Sequence, residues 1–489
     1  MSFLSVEEVG TILGGRWLRS PHQAVLQPLG VATDTREDVG GRLFLALAGE
    51  RFDAHDCLEQ AIEGGAAMLV LEAARCPAVV PGDGPVLLVE DTRAALWTLA
   101  EHWRRRLRAR VVAITGSAGK TTVRRMLQAI LEASLREEGR GALTASVKSF
   151  NNELGVPLTI LRARPEDRYL VLEVGTNEAG EIARLGALVQ PDLAAITNVA
   201  RAHLEGLGSL EGVADEKASL LGFLPADGIA VVPVEDDGPL AAAIARCLTP
   251  GARRLRFGAG SGDLVLVERS TVDPTGTQSF RLADGFSGRL ALPGAHNVFN
   301  AVVALGLARS LGIADRVTET ALAGLPPDPM RFSAQRLGVT RTMLYNDVYN
   351  SNPDALRAAL QAFGELSEGS SRRIVVLGDM MELGEDAPDL HAEVADELMR
   401  LDRGAPLDVV VLVGSMMRHC ERRLMELGFG GLVVRTPELD EVRSETISGV
   451  VRDGDAILVK GSRSIHLERL VEAIRARVDA ETGQLVGAA

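Results

Sequence analysis

The stretch Thr115–Thr122, TGSAGKTT, lies between an apolar run, VVAI, and an amphipathic one, VRRMLQAILEASL. Glycines at such a turn let backbone N–H groups point inward around phosphate oxygens, and the following helix N-terminus favours anions. Gly116, Ser117, Ala118, Gly119 and Thr122 would form that cradle. Lys120 would add positive charge near the outer phosphates, and Thr121 a hydroxyl for Mg²⁺. The full phosphate-loop pattern has another glycine five residues before Gly119. Ile114 stands there, so the loop is a shortened variant.

Three further residues have chemistry of the right kind. Glu173 closes the run YLVLEV, and a carboxylate at the carboxyl end of a parallel strand lies on the edge where such sheets bind ligands. It suits Mg²⁺, which takes hard oxygen donors, though by type alone a surface or capping carboxylate fits as well. His203 follows the run LAAIT and should occupy a loop on the same edge. Lys217, on the next helical stretch, is preceded by Asp215 and Glu216. Taken singly, His203 reads equally as a core or surface residue, and Lys217 as a solvated one.

These residues need elements to hold them, and the chain divides into three α/β segments. In 1–108, Arg42–Ala48 and Ala67–Leu71 read as strands around a helical Cys57–Glu63. A helix from Thr92 ends in RRRLRAR, read as a solvated helix terminus. In 109–328, strands at Val111–Thr115, Tyr169–Val174, Leu193–Thr197 and Gly228–Val232 alternate with helices, which predicts a mainly parallel sheet of the phosphate-loop ATPase type. Residues 252–292, with short alternating runs and turns at DPTG and ADGFSG, are expected to form an antiparallel excursion before a helix near His296. The proline-rich LPPDPM reads as a linker. In 329–489, strands at Thr342–Tyr345, Arg373–Leu377, Asp408–Val413, Gly431–Arg435 and Ala456–Lys460 give a Rossmann-like, doubly wound pattern. No GxGxxG follows its first strand, which argues against a dinucleotide there.

Composition limits the function. The chain has 489 residues and a formal net charge of −14, which disfavours nucleic acid and anionic membranes as partners but leaves room for a local basic pocket. No apolar run is long enough to span a membrane, and the N-terminus lacks a secretory pattern. Cys57, Cys76, Cys247 and Cys420 are scattered without a CxxC pair, so reduced and mostly buried thiols in a cytoplasmic protein are expected.

The phosphate loop alone admits many ATPases. Together with SFNNELGVPLTIL, LEVGTNEAGEI, AHLEGLGSLEGVADEK, LPGAHNVFNAV, YNDVYNSNP, LGDMMELG and VKGSRS, in that order and spacing, it resembles the Mur ligase family. The likeness covers essentially the whole chain, including TDTRED and LFLALAGERFDAHD near its start. Within the family the chain is most similar to the type that adds a D-alanyl-D-alanine dipeptide.

The resemblance implies a UDP-sugar domain (1–108), a central ATP-binding domain (109–328) and a C-terminal Rossmann-like domain (329–489). It implies that ATP phosphorylates the terminal carboxylate of a UDP-muramoyl-tripeptide and that the dipeptide amine displaces phosphate from the acyl phosphate. The catalytic residues would be Lys120, Lys217 and His203. Thr121, Glu173, His203 and a carbamylated Lys217 match metal positions. Asn297, Arg331 and Asp347 match nucleotide contacts, with a helix cap or turn as the plainer reading of Asn297 and Asp347. Thr33, Asp34, Thr35 and Arg36 match a UDP-contacting loop, and Asn151 and Asn152 a motif near the sugar-peptide. Lys460, Ser462 and Arg463 would receive the dipeptide carboxylate.

ATP and Mg²⁺ are the implied cofactors, and a cytoplasmic monomer is expected. Asn346 and Val348 depart from the Asp and Thr more usual beside Asp347. The absence of DNPR argues against the sister ligase that adds diaminopimelate or lysine. A folylpolyglutamate synthase-like ligase shares the ATPase core, but the first segment with TDTRED counts against it. A nucleotide switch would need an NKxD-type sequence, which is absent.

Overall fold

The computed structural model describes residues 3–21, 27–49, 52–139, 141–147, 150–234, 238–273, 276–338 and 340–486. Within the stretches quoted above, Glu50, Arg51, Ser149, Pro274 and Thr275 lie outside the described residues. The fold is α/β, with three domains each built on its own sheet.

The first sheet joins β1 (Arg16–Arg19), β2 (Val31–Ala32), β3 (Leu43–Leu45), β4 (Met68–Glu72) and β5 (Val86–Val89) in the order β1-β5-β4-β3-β2. Only β1 is antiparallel to its neighbour. The helix expected at Cys57–Glu63 is Leu58–Glu63, entered through a short 3₁₀ turn.

The central sheet has nine strands: β6 (Arg110–Thr115), β7 (Ala142–Ala145), β8 (Asp167–Glu173), β9 (Leu193–Ile196), β10 (Ile229–Pro233), β11 (Arg253–Ala259), β12 (Leu264–Arg269), β13 (Gln278–Leu282) and β14 (Ser287–Leu290). Their order is β14-β13-β12-β11-β10-β9-β6-β8-β7. The antiparallel reading of 252–292 needs correction. β11 and β12 extend the parallel sheet, and antiparallel pairing is confined to β12–β13 and β13–β14, where β13 runs against the rest. Alternation along β11 marks an exposed sheet region, which either direction of pairing produces.

The two-residue strand period divides β6 between two cores. Val111 and Ala113 face one cluster, with Leu99, Ile160 and Leu185. Val112 and Ile114 face the other, with Met126, Ile130 and Val302. Being covered on both faces explains why this strand reads as an unbroken apolar run.

The third sheet, β15 (Ser333–Arg336), β16 (Met343–Asp347), β17 (Arg372–Gly378), β18 (Val409–Val413), β19 (Leu432–Thr436) and β20 (Asp455–Lys460), has the order β15-β16-β20-β17-β18-β19. β15 alone is antiparallel. Residues 325–330, the proline-rich connection, carry neither helix nor strand.

Two further expectations need correcting. Arg104 is not a solvated helix end, because its guanidinium donates to the carbonyls of Val189 (2.8 Å) and Gln190 (3.0 Å). Of the four free thiols only Cys420 is buried, and the other three are partly exposed. Among the described residues, no helix is long and apolar enough to cross a membrane.

Candidate active site

The carboxyl ends of β6, β8 and β9 bring three loops to one edge of the central sheet, and the third domain closes over them. Between them lies a cleft of about 710 Å³. It is lined by Ser117–Thr122, Asn151, Glu173 and His203 from the central domain, and by Arg331, Asp347 and Lys460 from beyond the linker.

The glycine loop is held by groups distant in sequence. Ser117 N–H donates to the Asn198 carbonyl at 3.1 Å, and Ala118 N–H to Asn198 Oδ1 at 2.9 Å. Thr197 Oγ1 donates to the Ala118 carbonyl. Gly116 has φ 142°, and a Cβ there would fall 1.9 Å from Thr197 Oγ1. Gly119 has φ 81°, and a Cβ there would fall 2.3 Å from Asn300 Oδ1. The loop then enters the helix Lys120–Glu138, whose first N–H groups have no intrahelical acceptor and make an anion site.

Lys120 Nζ donates to the Gly116 carbonyl at 2.6 Å. Desolvation lowers its pKa against the pull of Glu173, while Arg331 pushes it further down. Glu173 is 1% exposed and accepts from Thr121 Oγ1 (2.9 Å) and Asn151 Nδ2 (3.0 Å). The hydroxyl and the carboxylate thus sit together as hard donors. Among the described residues, no three His, Cys, Asp or Glu side chains converge as a metal cage. That fits Mg²⁺, which takes one or two carboxylates and completes its shell with phosphates and water.

Lys217, on the helix Leu210–Ser219, is 0% exposed, and its Nζ has no hydrogen-bond partner. Burial drives its pKa well below the ordinary lysine value, and Lys120 adds to the shift. The carboxylates preceding it in sequence are engaged elsewhere. Glu216 accepts from the N–H groups of Gly180 and Ile182, and Asp215 pairs with Arg246. A buried amine pushed toward neutrality is the form that carbamylation requires.

His203 has a left-handed backbone (φ 56°), and its Nδ1 lies 2.5 Å from Glu382 Oε2 of the third domain. That contact holds the Glu382 carboxyl below its ordinary range. Arg331 crosses the same gap, donating to Thr121 Oγ1 at 3.0 Å and stacking 3.9 Å from the Tyr349 ring centroid. Asp347 accepts from Phe332 N–H (3.2 Å) and Lys460 Nζ (2.7 Å).

This last pair corrects one expectation. Lys460 is 2% exposed, and its ammonium is committed to Asp347 and the Asn350 carbonyl, so it is not offered to a dipeptide carboxylate. The Ser462 hydroxyl likewise accepts Met381 N–H (3.1 Å). Arg463 is exposed and lies 3.5 Å from Glu468.

Asn297 lines the cleft from the first turn of the helix Ala295–Ser310, bonded to the Pro293 carbonyl (2.7 Å) and Asn300. Beside it His296, pulled down to about 4 by burial, is neutral. Asn152 caps the helix Gly155–Arg162 through Leu154 and Gly155 N–H and does not line the cleft. Thr33, Asp34, Thr35 and Arg36 lie apart from the cleft, in a turn where Asp34 accepts from Arg36 N–H (2.9 Å) and its guanidinium. Asn198, Thr197, Asn300, Tyr349 and Glu382 join the site without having been singled out from sequence. Thr197 closes the run LAAIT, and Asn300, Tyr349 and Glu382 sat in the quoted motifs LPGAHNVFNAV, YNDVYNSNP and LGDMMELG without being picked out.

Comparison with known proteins agrees with this arrangement. Residues 114–308 match the Mur ligase middle domain, and residues 330–463 match the Mur ligase glutamate ligase domain. The UDP-N-acetylmuramoyl-tripeptide–D-alanyl-D-alanine ligase of Escherichia coli (strain K12) is 36% identical over 91% of this chain and 93% of its own length. The Bacillus subtilis (strain 168) enzyme of the same name is 33% identical over 91% and 92%. Among solved structures, a MurF from Acinetobacter baumannii superposes with a TM-score of 0.79 at 28% identity, covering 96% of this chain and 98% of the other. A MurF ligase from Thermotoga maritima in complex with ADP gives 0.75 at 26%, covering 92% and 98%.

Proposed function

The chain belongs to the Mur ligase family of ATP-dependent amide-forming ligases, and on that premise we propose that it joins D-alanyl-D-alanine to a UDP-N-acetylmuramoyl-tripeptide in peptidoglycan synthesis. The observation that carries this reading is the near end-to-end match to the Escherichia coli ligase, since its shared length includes the first domain as well as the ATPase core.

A carboxylate is a poor electrophile. In the proposed reaction its oxygen attacks the γ-phosphorus of ATP and ADP leaves. The dipeptide amine then attacks the acyl carbon, inorganic phosphate departs with the bonding pair, and the amine loses a proton. Lys120 and the helix N-terminus behind it would neutralise charge on the transferring phosphoryl group. Arg331 and Asp347 would bring the third domain's contribution to the nucleotide, with Asn297 at its side. When bound, Mg²⁺ would supply positive charge to offset that of the phosphates. Thr121, Glu173, His203 and a carbamate on Lys217 would hold it. The turn Thr33–Arg36 would take the UDP end, with Asn151 near the sugar-peptide. The division into 1–108, 109–328 and 329–489 follows these roles, in a cytoplasmic monomer.

The test is phosphate release from ATP by the purified chain. Release should require both the UDP-muramoyl-tripeptide and D-alanyl-D-alanine. Turnover with either one omitted, or with glutamate in place of the dipeptide, would remove the assignment.

A further inference from the structure

We propose that Asn198 is a positioning residue for the phosphate loop. It draws the N–H groups of Ser117 and Ala118 out of the cradle and sets the loop's shape, so nucleotide affinity depends on a side chain from the loop after β9. The proposal rests on the reading of the glycine loop as the nucleotide site.

Hydrogen bonds join the two loops in both directions. Thr197 N–H donates to the Thr115 carbonyl (2.9 Å), continuing the pairing of β9 with β6. Asn198 then accepts twice, its carbonyl from Ser117 N–H (3.1 Å) and its Oδ1 from Ala118 N–H (2.9 Å). The Thr197 hydroxyl returns a bond to the Ala118 carbonyl. The Ser117 hydroxyl donates to the Ala200 carbonyl (3.1 Å) and accepts Ala200 N–H (3.0 Å). Ala118 lies between Gly116 and Gly119, whose φ values are 142° and 81°. Glycine-flanked backbone has the most conformations to lose, so a bond at Ala118 decides more than it would inside a helix.

The clasp changes what the loop offers a ligand. Ser117 and Ala118, expected from sequence to cradle phosphate through their N–H groups, spend both on Asn198. Phosphate oxygens are left to the N–H groups that open the helix Lys120–Glu138, which have no intrahelical acceptor, and to Lys120. Asn198 therefore acts on the nucleotide through the placement of that helix entry.

The test uses the full chain. Without nucleotide, hydrogen–deuterium exchange should be slow in a peptide holding the Ala118 amide. Asn198→Ala should quicken it by about tenfold or more, as expected for a donor left unpaired. ADP affinity without added metal, read by calorimetry, should fall by about tenfold or more in the same variant. Asn198→Asp keeps an acceptor for Ala118 N–H and should retain the slow exchange. Val199→Ala serves as the control, because it truncates the next side chain, which packs on two apolar clusters and does not line the cleft. It should lower the melting temperature while leaving both readouts within about twofold. Unchanged exchange in Asn198→Ala, ADP affinity unchanged from a wild type that binds it, or equal losses in Val199→Ala would overturn the proposal. Quickened exchange in Asn198→Ala together with no ADP binding by wild type upholds the clasp and counts against the nucleotide reading of the loop.

Discussion

The central domain meets its two neighbours in different ways. Toward the first domain the boundary is mainly apolar, with polar contacts such as Arg162–Glu37 (2.8 Å) at its rim: Leu4, Leu96, Leu99 and Trp103 share one buried cluster with Val156, Ile160 and Leu185. Trp103 packs against Phe3 with the rings tilted by 56° and donates Nε1–H to the Ala163 carbonyl at 2.8 Å. Toward the third domain the boundary is mostly charged or hydrogen-bonded. Arg331 reaches Thr121, Glu382 reaches His203, Asp354 accepts Arg201 N–H (3.0 Å), and Arg269 pairs with Glu365 (2.9 Å). Among the described residues, Leu204, Leu207 and Val213, with the partly buried Val199, extend into the third domain's apolar core. Parting the first boundary would wet a continuous hydrophobic core, whereas the second can exchange protein partners for water or ligand phosphates at little net cost. Motion and sensitivity to ligands therefore belong to the second boundary, and the first acts as a fixed mount.

The largest expected effect is on chemistry at the polar boundary. Lys120→Ala should lower kcat on the order of 10³-fold or more, while the melting temperature stays within about 3 °C, because the lost interaction is with transferring charge. Steady-state turnover of a variant shown folded by circular dichroism checks this, and wild-type turnover would refute it. At the apolar boundary the pattern should invert. Trp103→Ala should cost about 3–5 kcal/mol in urea unfolding, with kcat per folded molecule nearly unchanged. A fall in kcat without a loss of stability there would erase the distinction.

A smaller effect concerns Lys217, whose helix touches both boundaries through Ala214, Ala218 and Val213. Its folded pKa is depressed, so between that value and its ordinary 10.5 the unfolded chain binds one more proton than the folded one. Wild-type stability then rises with pH across that window. Lys217→Met lacks this dependence. In CO₂-free buffer it should resist urea better than wild type at pH 7, by a margin that narrows toward pH 10. A constant margin would mean that the folded lysine stays charged.

The sequence revealed what is locally dictated. Strands buried on both faces, such as β6, β8 and β17, declare themselves as apolar runs. TGSAGKTT declares itself because the glycines answer a local backbone demand. Short edge strands were missed: β1 and β15 are largely exposed and β2 has only two residues, so none has enough apolar pattern to stand out. The partners that complete the cleft were hidden for another reason. Asn198 meets Ala118, and Lys460 meets Asp347, only after the sheets assemble, and no spacing in the chain encodes those meetings. That is why Lys460 looked available to a ligand when its charge is already matched.

Among the described residues, five other than glycine have positive φ, and three of them (His203, Phe332 and Glu382) line the boundary cleft. At such positions the backbone alone would favour glycine, by something on the order of 1 kcal/mol each. Phe332 is held by its burial in the third domain's core, but at His203 and Glu382 an engineer selecting only for heat resistance would be drawn to glycine, and each gain would delete a side chain from the cleft. His203→Gly and Glu382→Gly should be slightly harder to melt and poorer at turnover. At these two positions a thermostabilising substitution is one that dismantles the working surface, whereas Gln190 and His466 offer the same backbone gain away from the cleft.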